Sequence, residues 1–247
     1  MKISHGRAKR ALERQLAYQR EKANALRGRE DAVFERMSKG ARGVWKRISD
    51  VAPIAAEARV LEVGCGAHGL IFTLPGLRSA GIDPLAVEYA SLFPWQGRAR
   101  TVAAFGEQIP FRTASFDVVL CDNVIDHAEG PEEILREVSR VLKPGGILYF
   151  TVNVHHPIYD LSSRLHGLWN AAGLKFEITP FADHTVHLTP KAARKMVKRL
   201  PVNVIRSSDG LDAALEQTKR SKSRHAGDLL KRLFFKNARY EVIAIRS

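Results

Sequence analysis

Between residues 58 and 154 the apolar positions fall into short runs separated by amphipathic stretches, the pattern of alternating strands and helices. Residues 59–63 predict a strand ending in a glycine loop at 64–69, followed by a short helix or turn at 70–77. Further strands are predicted at 80–83, 100–104, 116–121 and 147–154, with helices at 85–92 and 131–142. The fourth of these strands, Phe116-Asp117-Val118-Val119-Leu120-Cys121, is apolar enough to be buried on both faces. The 131–142 helix carries its own boundary signals. Pro131 sits in its first turn, Glu132 and Glu133 favour its positive end, and Lys143-Pro144-Gly145-Gly146 stops it.

Upstream, Leu12, Leu16, Ala23, Leu26, Val33, Phe34 and Met37 recur at helical spacing across 7–48, with breaks predicted at Gly28 and at Gly40-Ala41-Arg42-Gly43. Downstream, helices are predicted at 157–173 and at 190–200, the second opened by Thr189-Pro190. Strands at 202–206 and 240–246 suit an antiparallel finish. The expected fold is therefore α/β: a doubly wound, mostly parallel seven-stranded sheet with an N-terminal helical extension. The expected organisation is a basic helical extension, 1–47, followed by a domain at 48–247. Within that domain the motifs occupy 58–154, and 155–247 form the acceptor side and C-terminal region.

Composition changes the picture mainly through charge. The 247 residues are 45% hydrophobic and carry a net charge of +13. Residues 1–47 hold +9, residues 48–190 hold −6 and residues 191–247 hold +10. Basicity confined to the flanks suggests docking to nucleic acid or to an anionic membrane surface; the other reading is solvated helix faces with no partner. No stretch approaches the roughly 20 apolar residues of a membrane-spanning helix. The basic start leads into no apolar signal region, although its Arg-rich character leaves an organelle transit peptide open. Cys65 and Cys121 read as reduced core thiols, and a cytoplasmic location is expected.

Chemistry concentrates at the glycine loop. Gly64, Gly66 and Gly69 form G-x-G-x-x-G directly after a strand, a spacing that lets backbone approach a ligand closely. Asp83, ending the second strand, can accept both hydroxyls of an adenosine ribose. Glu62 stands two residues before the first glycine. A carboxylate there would repel a pyrophosphate and favour a ligand carrying a sulfonium and an ammonium. The residues thus prefer S-adenosylmethionine over NAD; the other reading of Glu62 is an acid paired with a nearby Arg.

Glu62-Val63-Gly64-Cys65-Gly66 followed by Gly81-Ile82-Asp83 resembles the first two motifs of class I S-adenosylmethionine-dependent methyltransferases. Glu107-Gln108-Ile109-Pro110-Phe111 with Ser115-Phe116-Asp117-Val118-Val119, and the run from Glu137 to Gly146, extend that resemblance in the expected order over 58–154. The ubiquinone-methyltransferase-like group, which acts mainly on small molecules, lipids and sugars, is the most similar branch. The resemblance implies that Glu62, Gly64, Cys65, Gly66 and Gly69 border the methionine end of the donor, and that Asp83 and Pro84 border its ribose. It places Phe105, Gly106 and Glu107 at the adenine. Phe105 stands where the family usually has an acid, so stacking by Phe105 or substitution by Glu107 are both open. Asp122 and Asn123 would line the junction of donor and acceptor, and Asp126 and His127 would supply a base where the acceptor must lose a proton.

His155, His156, Tyr159, His184 and His187 are candidates for the acceptor side, at the strand ends where such folds bind ligands. His155-His156 and His184-x-x-His187 lack a recognisable metal-site framework, and no metal is expected. Three functions remain in play. The first is methyl transfer to a small-molecule, lipid-linked or sugar-like acceptor. The second is an RNA methyltransferase docking through basic flanks, although Cys121-Asp122-Asn123-Val124 lacks the Asp/Asn-Pro-Pro-aromatic run of exocyclic-amine enzymes. Neither cysteine has the Pro-Cys or Thr-Cys context of cytosine-C5 enzymes acting on RNA. The third is a non-catalytic S-adenosylmethionine-binding protein.

Overall fold

A computed structural model describes residues 5–74, 78–126, 128–157, 188–220 and 237–247. Two helices, α1 (His5–Leu26) and α2 (Glu30–Ser49), lead into β1 (Arg59–Val63), and a 3₁₀ turn at Leu70–Thr73 separates β1 from β2 (Arg78–Ile82). Then come α3 (Ala86–Leu92), a 3₁₀ turn at Pro94–Arg98, β3 (Arg100–Val102), β4 (Phe116–Asp122), α4 (Pro131–Val141) and β5 (Leu142–Val154). The remaining described elements are α5 (Pro190–Val197), β6 (Val202–Ser208), α6 (Leu211–Arg220) and β7 (Ala238–Arg246). Among the described residues no helix is long and apolar enough to cross a membrane.

The seven strands form one sheet in the order β3-β2-β1-β4-β5-β7-β6, parallel from β3 to β5 and antiparallel where β7 enters between β5 and β6. Strand order reverses direction between β1 and β4, which opens a crevice at the carboxyl ends of those two strands. Successive side chains of a strand point to opposite faces. Along β4 both faces are dry: Val119 and Cys121 share one core with Ile134, Leu135 and Val138 of α4, while Val118 and Leu120 share another with Val44 and Ile48 of α2.

The helix-breaking expectation for 40–43 is not met, because α2 runs unbroken through it. Each mid-helix glycine costs about 1 kcal/mol. Burial of Ala41, Val44 and Ile48 on one face outweighs that cost. The same helix also spans residues 47 and 48, where the extension was expected to give way to the domain. Arg47 fastens it to the sheet by donating to both carboxylate oxygens of Glu241 on β7, at 3.0 and 2.8 Å, and Tyr149 Oη on β5 donates to the same carboxylate at 2.8 Å. The break at Gly28 does occur, with the glycine at a φ of +75° between α1 and α2.

β5 starts at Leu142, five residues before its expected start. Lys143-Pro144-Gly145-Gly146 is taken into the strand as an irregularity, with a register shift against β4 between Phe116 and Val118. The helix expected at 157–173 lies outside the described residues.

Two substitutions in α2 test its continuity. Ile48→Ala, at a fully buried position, should lower unfolding free energy in urea by about 2–5 kcal/mol. Gly40→Ala, which meets nothing within 4 Å, should raise it by about 0.5–1 kcal/mol. A destabilised Gly40→Ala protein would count against a helix passing through 40–43.

Candidate functional site

The glycine loop leaves β1 over the end of β2. Gly64 N and Cys65 N both donate to Ile82 O, at 2.8 and 3.0 Å. Gly64 and Gly66 have φ values of +67° and +52°, in the region that favours glycine. A Cβ on Gly64 would stand 2.6 Å from Val124 Cγ2, so the loop passes close under the segment that follows β4. Inside the turn lies Glu62, only 3% exposed. Its Oε1 accepts from Leu70 N and its Oε2 from Ile71 N, each at 3.0 Å. The carboxylate thereby caps the 3₁₀ turn and folds the loop around itself. That structural duty was not foreseen in a residue singled out for its charge.

Asp83 joins the end of β2 to the same loop. Its Oδ2 accepts from Gly66 N at 3.0 Å, and its Oδ1 accepts from Leu85 N at 2.9 Å across Pro84. Two residues absent from the sequence-based site complete the cradle: Trp95 Nε1 donates to Ala67 O at 2.7 Å, and Gln96 Nε2 donates to Gly66 O and Ala67 O at 3.1 Å. Cys65 is buried against Gly81, where a Cβ would meet its Sγ at 2.7 Å; burial pushes the thiol's pKa up, which leaves it inert.

The electrostatics of the crevice are acidic. Burial pushes Glu62 up to about 8 against the opposing N–H groups of Ile71 and Leu70, and the charges of Asp122 and Asp83 add to the rise. Asp83 is also raised by burial, opposed by its bonds from Leu85 and Gly66. A crevice that resists holding these negative charges favours a cation.

At the exit of β4, Asp122 pairs with Arg239 of β7 and accepts from Thr151 Oγ1 of β5. Asn123 adopts a positive φ of +58°, its Oδ1 accepting from Asn153 N at 3.2 Å. Asp126 is fully buried and accepts from Asn153 Nδ2 at 3.4 Å. His155 is buried just past β5, its backbone N–H bonded to Leu188 O, and His156 is partly buried with its pKa lowered by that burial. His127, Tyr159, His184 and His187 lie outside the described residues. On the adenine side Phe105 is 52% exposed, open to stack on a ligand, and Gly106 fits tightly between Ile134 and Val63. Glu107 turns towards α4, where Oε1 accepts from Gly130 N at 3.1 Å. Glu137 and Arg140 of α4 hold the backbone of 109–111 from below. Among the described residues no cluster of three or more His, Cys, Asp or Glu side chains is placed to hold a metal.

Comparison with known proteins agrees with this layout. Residues 61–150 match the family described as "Methyltransferase domain". A rat thiol S-methyltransferase, TMT1B, is 32% identical over 133 residues, covering 50% of this chain and 54% of its own length. A Pseudomonas putida ubiquinone biosynthesis O-methyltransferase is 35% identical over 119 residues, covering 43% of this chain and 50% of its own length. The chain thus spans about half the length of the curated relatives it matches. Among solved structures, geranyl diphosphate C-methyltransferase from Streptomyces coelicolor superposes with a TM-score of 0.58 at 14% identity, covering 83% of this chain and 78% of that one. The YcgJ protein of Bacillus subtilis does so with a TM-score of 0.56 at 18% identity, covering 83% and 98%. The fold is shared with both.

The loop's demand for glycine at 64 can be separated from positive φ alone. Gly64→Ala should unfold at clearly lower denaturant than Gly145→Ala. Both positions have positive φ, costing about 1–2 kcal/mol for an L side chain, but only Gly64 also meets Val124. Equal losses in the two variants would show that the contact with Val124 does not constrain the loop.

Proposed function

We propose that this chain, whose residues 61–150 match the methyltransferase-domain family, transfers a methyl group from S-adenosylmethionine to a small-molecule acceptor. The observation that carries the proposal is the group of acids at the switch crevice: Glu62 and Asp83, both raised in pKa by burial, with Asp122 adding its charge. Such a site suits a cationic ligand and disfavours a pyrophosphate. The residues present fit the donor. Gly64 and Gly66 would give the backbone access that its methionine end needs, Asp83 at the end of β2 would take the ribose, and Phe105 would offer an exposed ring to the adenine. When bound, the donor supplies an electrophilic methyl on a positively charged sulfur.

The protein's share is positioning and charge. Asp122, held by Arg239 and Thr151, is a fixed acid at the crevice whose charge adds to the rise of Glu62 and would support a bound cation. Asp126, oriented by Asn153, is the group we assign to take a proton from an acceptor that must lose one. The relatives' names are those of enzymes acting on a thiol and on an oxygen, which supports a sulfur or oxygen nucleophile here. The outer faces of α1 and α2, with Arg10, Arg20, Arg36, Lys39 and Arg42 exposed, support a further reading in which the domain docks on an anionic surface. Two buried free thiols support residence in a reducing compartment such as the cytoplasm.

Calorimetry tests the donor site. Both S-adenosylmethionine and S-adenosylhomocysteine should bind, and labelled methyl should pass to a thiol or phenol but not to RNA. Absence of binding by the folded protein would end the proposal. The two ligands share an ammonium and differ in the sulfonium, so the pH dependence of their affinity ratio isolates the effect of Glu62. Its raised pKa means the unliganded fold gains stability from the protonated group below pH 4.5 and loses that gain as pH rises through about 8. The ionised form favours the sulfonium, so preference for S-adenosylmethionine should grow several-fold from pH 6 to pH 9. A flat ratio would separate Glu62 from the donor sulfur.

A further inference from the structure

β7 runs against β5, so its first residues lie beside the last residues of β5, at the ligand edge of the sheet. Asn153 stands directly across from Arg239, and Val154 across from Ala238. Residues directly opposed in an antiparallel pair share a face, as do alternate residues of one strand. Arg239 and Glu241 therefore lie on the face that carries Thr151 and Asn153, and Asp122 of β4 stands across from Thr151 on that face. From this position Arg239 bonds to Asp122.

That bond does not use up the guanidinium. Glu241, the other carboxylate on this face of β7, is taken by Arg47 and by Tyr149 Oη. Arginine carries five N–H donors in a flat fork, and among the described residues the Arg239 side chain bonds to Asp122 alone. It is also 50% exposed, where its partner Asp122 is 22% exposed. The remaining donors are thus accessible at the strand ends, where folds of this kind bind ligands.

A cation here is at odds with the rest of the crevice. Glu62, Asp83 and Asp122 suit the positive charge of the methyl donor, and the same acids would repel an acceptor that carries negative charge. Arg239 offsets that repulsion on the acceptor side. Asn153, across from it, donates to Asp126 at 3.4 Å, so one residue links the guanidinium's place on the sheet to the group assigned to take the acceptor's proton.

Charge decides which anion fits. A phosphate group brings about −1.5 to −2 at neutral pH, more than one guanidinium already paired with an acid can balance. A carboxylate brings a single charge, and its two oxygens match two parallel N–H groups of the fork. We propose that Arg239 is a specificity-determining residue that holds a carboxylate of the methyl acceptor, so that the acceptor is an organic acid bearing its thiol or hydroxyl elsewhere. This rests on the methyltransferase reading above.

The test uses matched pairs on the chain loaded with S-adenosylhomocysteine: 3-mercaptopropionate against its amide, and 3-(4-hydroxyphenyl)propionate against its amide. Calorimetry on the parent should show at least one carboxylate binding about tenfold or more tighter than its amide, the worth of a charge-assisted hydrogen bond. In Arg239→Gln that ratio should fall to near unity. Arg239→Lys, which keeps the charge and the tie to Asp122 but loses the fork, should fold as the parent does and retain only part of the ratio. Arg206→Gln, which removes an exposed cation from β6, should retain all of it. A parent with no preference for either acid would overturn the assignment, as would a ratio unchanged in Arg239→Gln and Arg239→Lys. Equal losses for acid and amide would also overturn it, since Arg239 would then serve only to hold Asp122. A parent that fails to take up S-adenosylhomocysteine would overturn the methyltransferase reading and this assignment with it.

Discussion

The glycine loop owes its shape to a carboxylate buried inside it. Glu62 accepts the N–H groups of Leu70 and Ile71, which a 3₁₀ turn leaves without partners of its own, and so draws residues 64–71 into a closed cradle. Two neighbouring glycines follow from that closure. A Cβ on Gly69 would stand 2.6 Å from Glu62 Oε2, and one on Gly81 would strike Ile71 at 2.5 Å. The same closure buries a carboxyl group whose ionised form burial disfavours and the positive charge of the proposed ligand would restore. One side chain therefore fixes the backbone and sets the potential it presents.

The sheet supplies the rest of the frame. Because β1 and β4 are neighbours whose connections leave in opposite directions, the glycine loop and the 123–126 segment face each other across one crevice. β7 then reinforces the frame from the far side. Arg239 reaches Asp122 at the crevice, while Glu241, two residues on, grips Arg47 of α2 and Tyr149 of β5. A single antiparallel strand thus ties the acceptor side of the site to the helix that covers the sheet.

Much of this was legible in the sequence where the signal is local. Strand β1, the G-x-G-x-x-G loop, Asp83 and the Pro131-opened helix are each encoded within about ten consecutive residues, and the structure has each of these elements. Contacts across long separations were not legible. Asp122 and Arg239 lie 117 positions apart, and nothing in the spacing of either announces the other. Trp95 and Gln96 belong to no motif, and only the fold turns them towards Ala67. In 40–43 the local rule lost to tertiary burial: two glycines predict a break, but Ala41, Val44 and Ile48 are buried, the last two against the sheet.

The position of β7 also bears on the order in which the molecule can assemble. β6 precedes β7 in the chain, yet in the sheet β7 lies between β5 and β6. β6 has no strand to pair with until β7 has seated itself along β5, so the sheet must close from the inside outwards. As the chain emerges from a ribosome, β1 to β5 can already align, while β6 waits some thirty residues for the strand that carries it. Val204 and Ile205, exposed even in the finished sheet, belong to that waiting strand. The interval before β7 arrives is when a nascent chain of this topology has most need of a chaperone.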